Sequence, residues 1–299
     1  MKFSQLIIML SGILSCAPAP EGAGWLCNYE IPQVETDMPD GAGFSRLAPE
    51  RFGNTYAYIC DTPSQTQRVV THAFLDQDKV KRNYTMLYDF DKRCALWVAY
   101  PMHAKGFADN DIGRHEDWSY DPAIPEAFQP RLKASYGDFT RGHQIASNDR
   151  QCSEAANQQT FYYTNMTPQT SRLNSGLWSS IEERVQKSAP SGRDTMYVVT
   201  GPVFRKGFRH TGNKNDGIEC AVPTDYFKCI MSCSFDQNGR MTDAKGMAFL
   251  IGHEASAYAR YTAYTKTIDE IEALTGFDFY HNIPETLQLK AESHTTTLF

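Results

Sequence analysis

The run from 173 to 185 constrains the fold most. Leu173, Leu177, Ile181 and Val185 recur every four residues with Trp178 beside them, which lays one apolar stripe along an α-helix. Most other apolar segments read as strands. Segments 84–89 and 94–100 are rich in aromatic and β-branched residues and lie a hairpin's length apart. Segments 68–74, 160–165, 196–204 and 245–251 read the same way, 219–235 reads as two strands around Pro223-Thr224, and 55–60 is a shorter candidate. Pro168 is expected to break the strand that starts at Thr160. Residues 268–276 form a short helix stopped at Gly276. Several sequential strands with few helices make an α+β chain.

Residues 1–16 read as a signal segment: Lys2, then an apolar core from Leu6 to Leu14 too short to span a bilayer. Ile13-Leu14-Ser15-Cys16 is similar to a bacterial lipoprotein box, so Cys16 is a candidate lipid anchor. Export follows, with the protein secreted, periplasmic or an outer-membrane lipoprotein. Residues 17–67, rich in Gly, Pro and acidic side chains, form a linker and N-terminal appendage; 68–290 form the main domain and 291–299 a frayed tail. The irregular stretch 103–136 is long for a loop in a compact domain, which points to function or to disorder. Eight cysteines allow disulfides after export; Cys27 with Cys60, and Cys220 with Cys229 or Cys233, are the expected pairs. The net charge of -6 excludes a globally basic polyanion binder, so any nucleic-acid site is a local cleft.

The chemistry converges on Thr140-Arg141-Gly142-His143. In an extended strand Arg141 and His143 share a face. The arginine disfavours the imidazolium, keeping His143 neutral as a general base requires, and its planar fork suits phosphate oxygens. Asn174 and Glu182 both avoid the apolar stripe. They stand about 80° apart around the helix and about 12 Å along it, too far to bind one ion together easily. Spacing alone leaves two readings: Asn174 as a helix-start residue with Glu182 solvated, which it favours, or Asn174 as a direct oxygen ligand with Glu182 a carboxylate reaching the ion's water shell. A hard cation that keeps most of its waters fits, with Mg²⁺ the default.

These residues resemble the DNA/RNA non-specific endonucleases. Thr140-Arg141-Gly142-His143-Gln144 is similar to the family's Asp-Arg-Gly-His signature. The blocks Thr164-Asn165-Met166-Thr167-Pro168-Gln169, Leu173-Asn174-Ser175-Gly176-Leu177-Trp178 and Ile181-Glu182 follow in order. So do Tyr197-Val198-Val199-Thr200-Gly201-Pro202, the 221–228 segment and the 267–276 helix. The resemblance implies a mixed α/β nuclease fold with a central antiparallel sheet and a ββα-metal site. It implies hydrolysis of phosphodiester bonds in DNA and RNA with 5′-phosphate products. His143 would be the general base, Asn174 the Mg²⁺ ligand (Mn²⁺ as substitute), Glu182 the residue orienting water around the ion, and Arg141 the phosphate support. Arg114, shortly before Trp118, is similar to a substrate-binding arginine. Two positions depart from the family pattern. Thr140 replaces its aspartate, although Asp138 is near, and Gln186 stands where an arginine is common. A decayed nuclease serving as a binding module, and a phosphodiesterase for small substrates, are the rival readings.

Overall fold

The computed structural model describes residues 57–58, 66–76, 79–104, 112–114, 116–132, 139–211, 218–281 and 283–299. Seven antiparallel strands form the central sheet: β1 (Gln67–Asp76), β2 (Lys79–Asp89), β3 (Cys94–Met102), β6 (Thr195–Val203), β7 (Asp225–Phe235), β8 (Met241–Gly252) and β9 (Thr265–Lys266). Their order across the sheet is β9-β8-β7-β6-β3-β2-β1. A separate antiparallel pair, β4 (Phe139–His143) and β5 (Met166–Thr170), lies outside the sheet. This is the α+β architecture expected.

The sheet is buried on both faces, so its strands read as nearly continuous apolar runs. Tyr197, Val199, Cys229 and Met231 point to one face. There they meet Ile268 and Ile271 of helix α3 (Ile268–Thr275) and Ala291 of α4 (Glu285–Glu292). Met196, Val198, Tyr226 and Ile230 point to the other, under Leu177, Trp178, Ile181 and Val185. That stripe belongs to α2 (Ser179–Lys187) and to the widened turn Asn174–Trp178 before it. A short helix, α1 (Glu154–Gln159), precedes β5.

The helix differs from the ideal geometry assumed above. Gly176 has φ -108° and ψ -113°, which kinks it between Asn174 and Glu182. A Cβ there would lie 2.7 Å from the Cβ of Ala257, so only glycine lets the 252–260 loop approach this closely.

Several expectations are corrected. No strand covers 160–165; the chain turns and forms a 3-10 turn at Tyr163–Asn165. The strand comes after it and contains Pro168, opposite Arg141. In a two-stranded pair each strand has a free edge, so the missing proline donor breaks no ladder, and the Pro168 carbonyl accepts from the Tyr226 hydroxyl at 2.6 Å. Cys220, Cys229 and Cys233 are free thiols. Cys220 packs with Phe139 and Met166, whereas Cys229 and Cys233 face the α3/α4 side, so the expected pairing has no geometry. The tail is not frayed: Ala291 and Glu292 are buried, and the Phe299 ring lies 6.2 Å from that of Phe249. Its terminal Leu298 and Phe299 cover the open edge of the apolar layer under α2. Of the 55–60 candidate, Ala57–Tyr58 pairs with Asp278–Phe279. Cys16, Cys27, Cys60, Asp138 and the signal segment lie outside the described residues. No helix among the described residues is long and apolar enough to cross a membrane.

Candidate active site

Strand β4 with the 146–148 segment after it and the start of the α2 helix form two walls of a cleft of about 340 Å³, and Arg114 and Trp118 line a third side. Arg114, Arg141, His143, Asn174 and Glu182 all line it, so the five residues singled out from sequence meet in one place. Trp118, which the sequence reading did not assign, lines it too.

Strand alternation sends Arg141 and His143 into the cleft together. Gly142 between them faces Gln169, whose side chain occupies the space a Cβ would need. Arg141 is held from three sides. Its Nε donates to the carbonyls of Arg131 (3.0 Å) and Leu132 (2.7 Å), and its guanidinium carbon lies 4.0 Å from the centre of the Trp118 ring. Fixing Nε in this way leaves the terminal nitrogens to meet a ligand. Arg114 lies over Phe161 at 5.0 Å and donates to Glu116 at 3.0 Å.

His143 opens partly to the cleft, but its ring is wedged between Trp118 (5.5 Å) and Phe161 (5.2 Å). Burial, then Arg114 and Arg141, push its pKa down to about 3. The ring is thus neutral at pH 7, and its Nε2 makes no hydrogen bond to protein.

Asn174 donates from Nδ2 to Thr140 Oγ1 (3.0 Å) and to the Arg141 carbonyl (3.2 Å). Thr140 in turn donates to the Gln169 carbonyl at 3.1 Å. With its nitrogen committed, Asn174 presents Oδ1 as a free acceptor. Thr140 therefore fixes the amide without the family's aspartate. Glu182 has a buried Oε1 with no hydrogen bond. Burial pushes its pKa up to about 7; Lys228 opposes this, Asp149 adds to it, and the Trp178 indole and Arg114 oppose it. An uncommitted amide oxygen, a carboxylate, and space for solvent fit a hard, largely hydrated cation better than a soft metal. Gln186 is not among the lining residues; it donates to the carbonyl of Asn148, which is, at 2.8 Å.

Sequence reasoning also missed Lys228 and Asp149, which lie beneath Glu182. The available signal was a lone lysine within the apolar run Tyr226-Phe227-Lys228-Cys229-Ile230.

Comparison with known proteins bears on this geometry. The family model for DNA/RNA non-specific endonucleases matches residues 62–286. A nuclease of Nostoc sp. is 27% identical over 220 residues, covering 72% of this chain and 77% of the relative. The nuclease of Serratia marcescens is 28% identical over 229 residues, covering 72% and 79%. Human mitochondrial endonuclease G is 29% identical over 165 residues, or 52% of this chain and 55% of that protein. The solved structure of an EndoG/EndoGI complex contains a chain that superposes with a TM-score of 0.58 at 21% identity, covering 80% of this chain and 95% of that one. That similarity concerns the fold. The matched span holds the whole cleft, and the chain therefore belongs to the DNA/RNA non-specific endonuclease family, metal-dependent enzymes that hydrolyse phosphodiester bonds.

Proposed function

We propose that this protein is an exported, Mg²⁺-dependent endonuclease that cleaves both DNA and RNA. The observation that carries the reading is the convergence of Arg114, Arg141, His143, Asn174 and Glu182 on one cleft. Two arginines make the cleft locally positive in a chain of net charge -6. Contacts to phosphate carry no base information, which suits a substrate range covering both nucleic acids.

Arg141, clamped by two carbonyls and Trp118, receives the scissile phosphate, with Arg114 beside it. His143 takes a proton from the attacking water. A ring with a pKa of about 3 is neutral but weakly basic. Because both arginines contribute to that depression, a phosphate that neutralises them raises the basicity of His143 when substrate is present. The bond from the water oxygen to phosphorus forms as the P–O3′ bond breaks; the leaving 3′ oxygen keeps the electron pair and takes a proton from solvent, giving a 5′-phosphate and a 3′-hydroxyl. Asn174 Oδ1 would hold the ion, and Glu182 would accept hydrogen bonds from its waters. When bound, Mg²⁺ (or Mn²⁺ in its place) supplies positive charge against the phosphate and the leaving oxygen.

The signal-like segment supports export, with Cys16 as a lipid anchor. The test is cleavage of supercoiled plasmid and of RNA with Mg²⁺ or EDTA, beside His143→Ala. Mg²⁺-dependent nicking of the plasmid and degradation of RNA by the wild type are expected. Absence of both would overturn the endonuclease reading in favour of a binding module. Cleavage undiminished in His143→Ala would remove the assignment of the base.

A further inference from the structure

Beneath the cleft lies a buried lysine that the reaction described above does not use. Lys228 sits in β7 opposite Thr200 and is 1% exposed. It shares the face of Tyr226 and Ile230, under α2. Its ammonium lies 4.9 Å from the centre of the Trp178 ring and 6.0 Å from that of Tyr100. Yet Nζ makes no hydrogen bond to a protein atom. A lysine is seldom buried without a charge partner, because leaving an ammonium dry is strongly unfavourable.

Both ring neighbours lead to carboxylates. Trp178 is one helical turn before Glu182. The Tyr100 hydroxyl donates to Asp149 Oδ2 at 3.0 Å. Glu182 Oε1 and Asp149 Oδ1 are likewise buried without a hydrogen bond to protein. Burial pulls the Lys228 pKa down, while Glu182 and then Asp149 push it up. At both carboxyls burial is the largest influence, and Lys228 is the first charge that opposes it. The other charges around them are placed elsewhere. Arg150 is committed to Asn83 and to the carbonyls of Asp149 and Pro101, and Arg114 stands in the cleft. The Cys229 thiol faces the opposite side of the sheet.

We propose that Lys228 is a positioning residue for the cleft: its buried ammonium, set between Trp178 and Tyr100, whose other neighbours are Glu182 and Asp149, supplies from behind the positive charge that favours the ionised form of these two carboxyls. This rests on the nuclease reading and adds to it a residue that never touches substrate. Without the ammonium, Glu182 faces burial and Asp149 with only the Trp178 indole and Arg114 against them, and takes up a proton.

Lys228→Met keeps the apolar stem and removes the charge. Adding Asp149→Asn removes one carboxylate as well, which restores the balance. Asp149→Asn alone is the third variant. Circular dichroism establishes folding. The titration of Glu182 is followed by carbon NMR on metal-free protein with labelled glutamate, the signal being assigned by its loss in Glu182→Gln. Turnover and KM are measured on a defined oligonucleotide with Mg²⁺. Lys228→Met should raise the Glu182 midpoint by about one pH unit and so lower kcat at pH 7 about fivefold, with KM within about threefold. The double variant should recover most of both losses, and Asp149→Asn alone should lower the midpoint. A folded Lys228→Met with wild-type midpoint and kcat overturns the proposal, as does a double variant no better than the single one. Should Lys228→Met not fold, an unmoved midpoint in Asp149→Asn overturns it instead. A wild type that cleaves nothing refutes the nuclease reading, while the titration still decides the role of Lys228.

Discussion

Glu182 and Glu292 lie on opposite faces of one sheet, and burial raises both. Glu182 is pushed up to about 7 and Glu292 to about 9. Their surroundings differ in sign. Around Glu182 stand Lys228, the Trp178 indole and Arg114, with Asp149 as the one opposing carboxylate, and the carboxyl opens into a cleft. Around Glu292 stand Glu272, Asp269 and Asp278, relieved by a single hydrogen bond from Gln288 at 3.2 Å. Asp269, Glu272 and Glu292 bring their oxygens within 4.8 Å of one another. Among the described residues, the larger shift thus belongs to the carboxyl surrounded by other acids. A perturbed carboxyl marks a site only when the groups around it can use the charge it gains or loses.

The comparison is tested most severely at the front. His143→Ala should reduce cleavage of a defined oligonucleotide by about 10²–10⁴-fold, the usual worth of a general base, with little change in melting temperature. Glu182→Gln should lower kcat by about 10²-fold and yet raise stability above pH 7. The native carboxyl holds its proton to about 7, against a reference value of 4.5. Its advantage to the folded state is therefore complete below 4.5 and disappears as pH rises through 7. Glutamine cannot ionise, so at pH 8 the variant gains about 1–2 kcal/mol, reduced from the full shift because the group faces solvent in the cleft. Denaturant melts at pH 5 and pH 8 would show it; a Glu182→Gln that is inactive and also less stable at pH 8 would make Glu182 a structural residue.

Much of the front was legible in the sequence because short-range periodicity fixed it. The four-residue stripe gave the helix, and the two-residue period put Arg141 and His143 on one face. The misreadings came where tertiary contacts overrode local preference. Phe161 and Tyr163 look like strand residues, but their rings pack around His143 and Arg141. Pro168 looks like a breaker, but its strand has a free edge. Lys228 stands out in the sequence only as a lone lysine in an apolar strand; the carboxylates that act on it, Glu182 and Asp149, come from segments far away in the chain. The α4 tail was read as polar, and its burial depends on a sheet face built from residues far away in sequence.

A smaller effect is expected at Thr140. Its hydroxyl receives the Asn174 amide at 3.0 Å, and the Arg141 carbonyl is the second acceptor at 3.2 Å. Thr140→Ala removes one of the two. One neutral hydrogen bond is worth about 1 kcal/mol, so kcat/KM should fall about fivefold, and Thr140→Ser should restore it. An unchanged Thr140→Ala would mean that the backbone carbonyl alone holds the amide.

The smallest effect on cleavage is expected at the back. Glu292→Gln should leave kcat and KM within about twofold, because this carboxyl lies across the sheet from the cleft and does not line it. Its signature is in stability. With a native pKa of about 9 against 4.5, the wild-type carboxyl favours the folded state fully below 4.5, and that advantage is lost as pH climbs through 9. The loss proceeds at no more than about 1.4 kcal/mol per pH unit for a single group. Melting temperatures of the wild type should therefore decline between about pH 6 and pH 9, and those of Glu292→Gln should decline less. Glu272, itself pushed up to about 7, keeps part of the slope in the variant. A tenfold loss of cleavage in Glu292→Gln would show instead that the two faces communicate through the sheet, which stands between α3 and α4 on one side and α2 on the other.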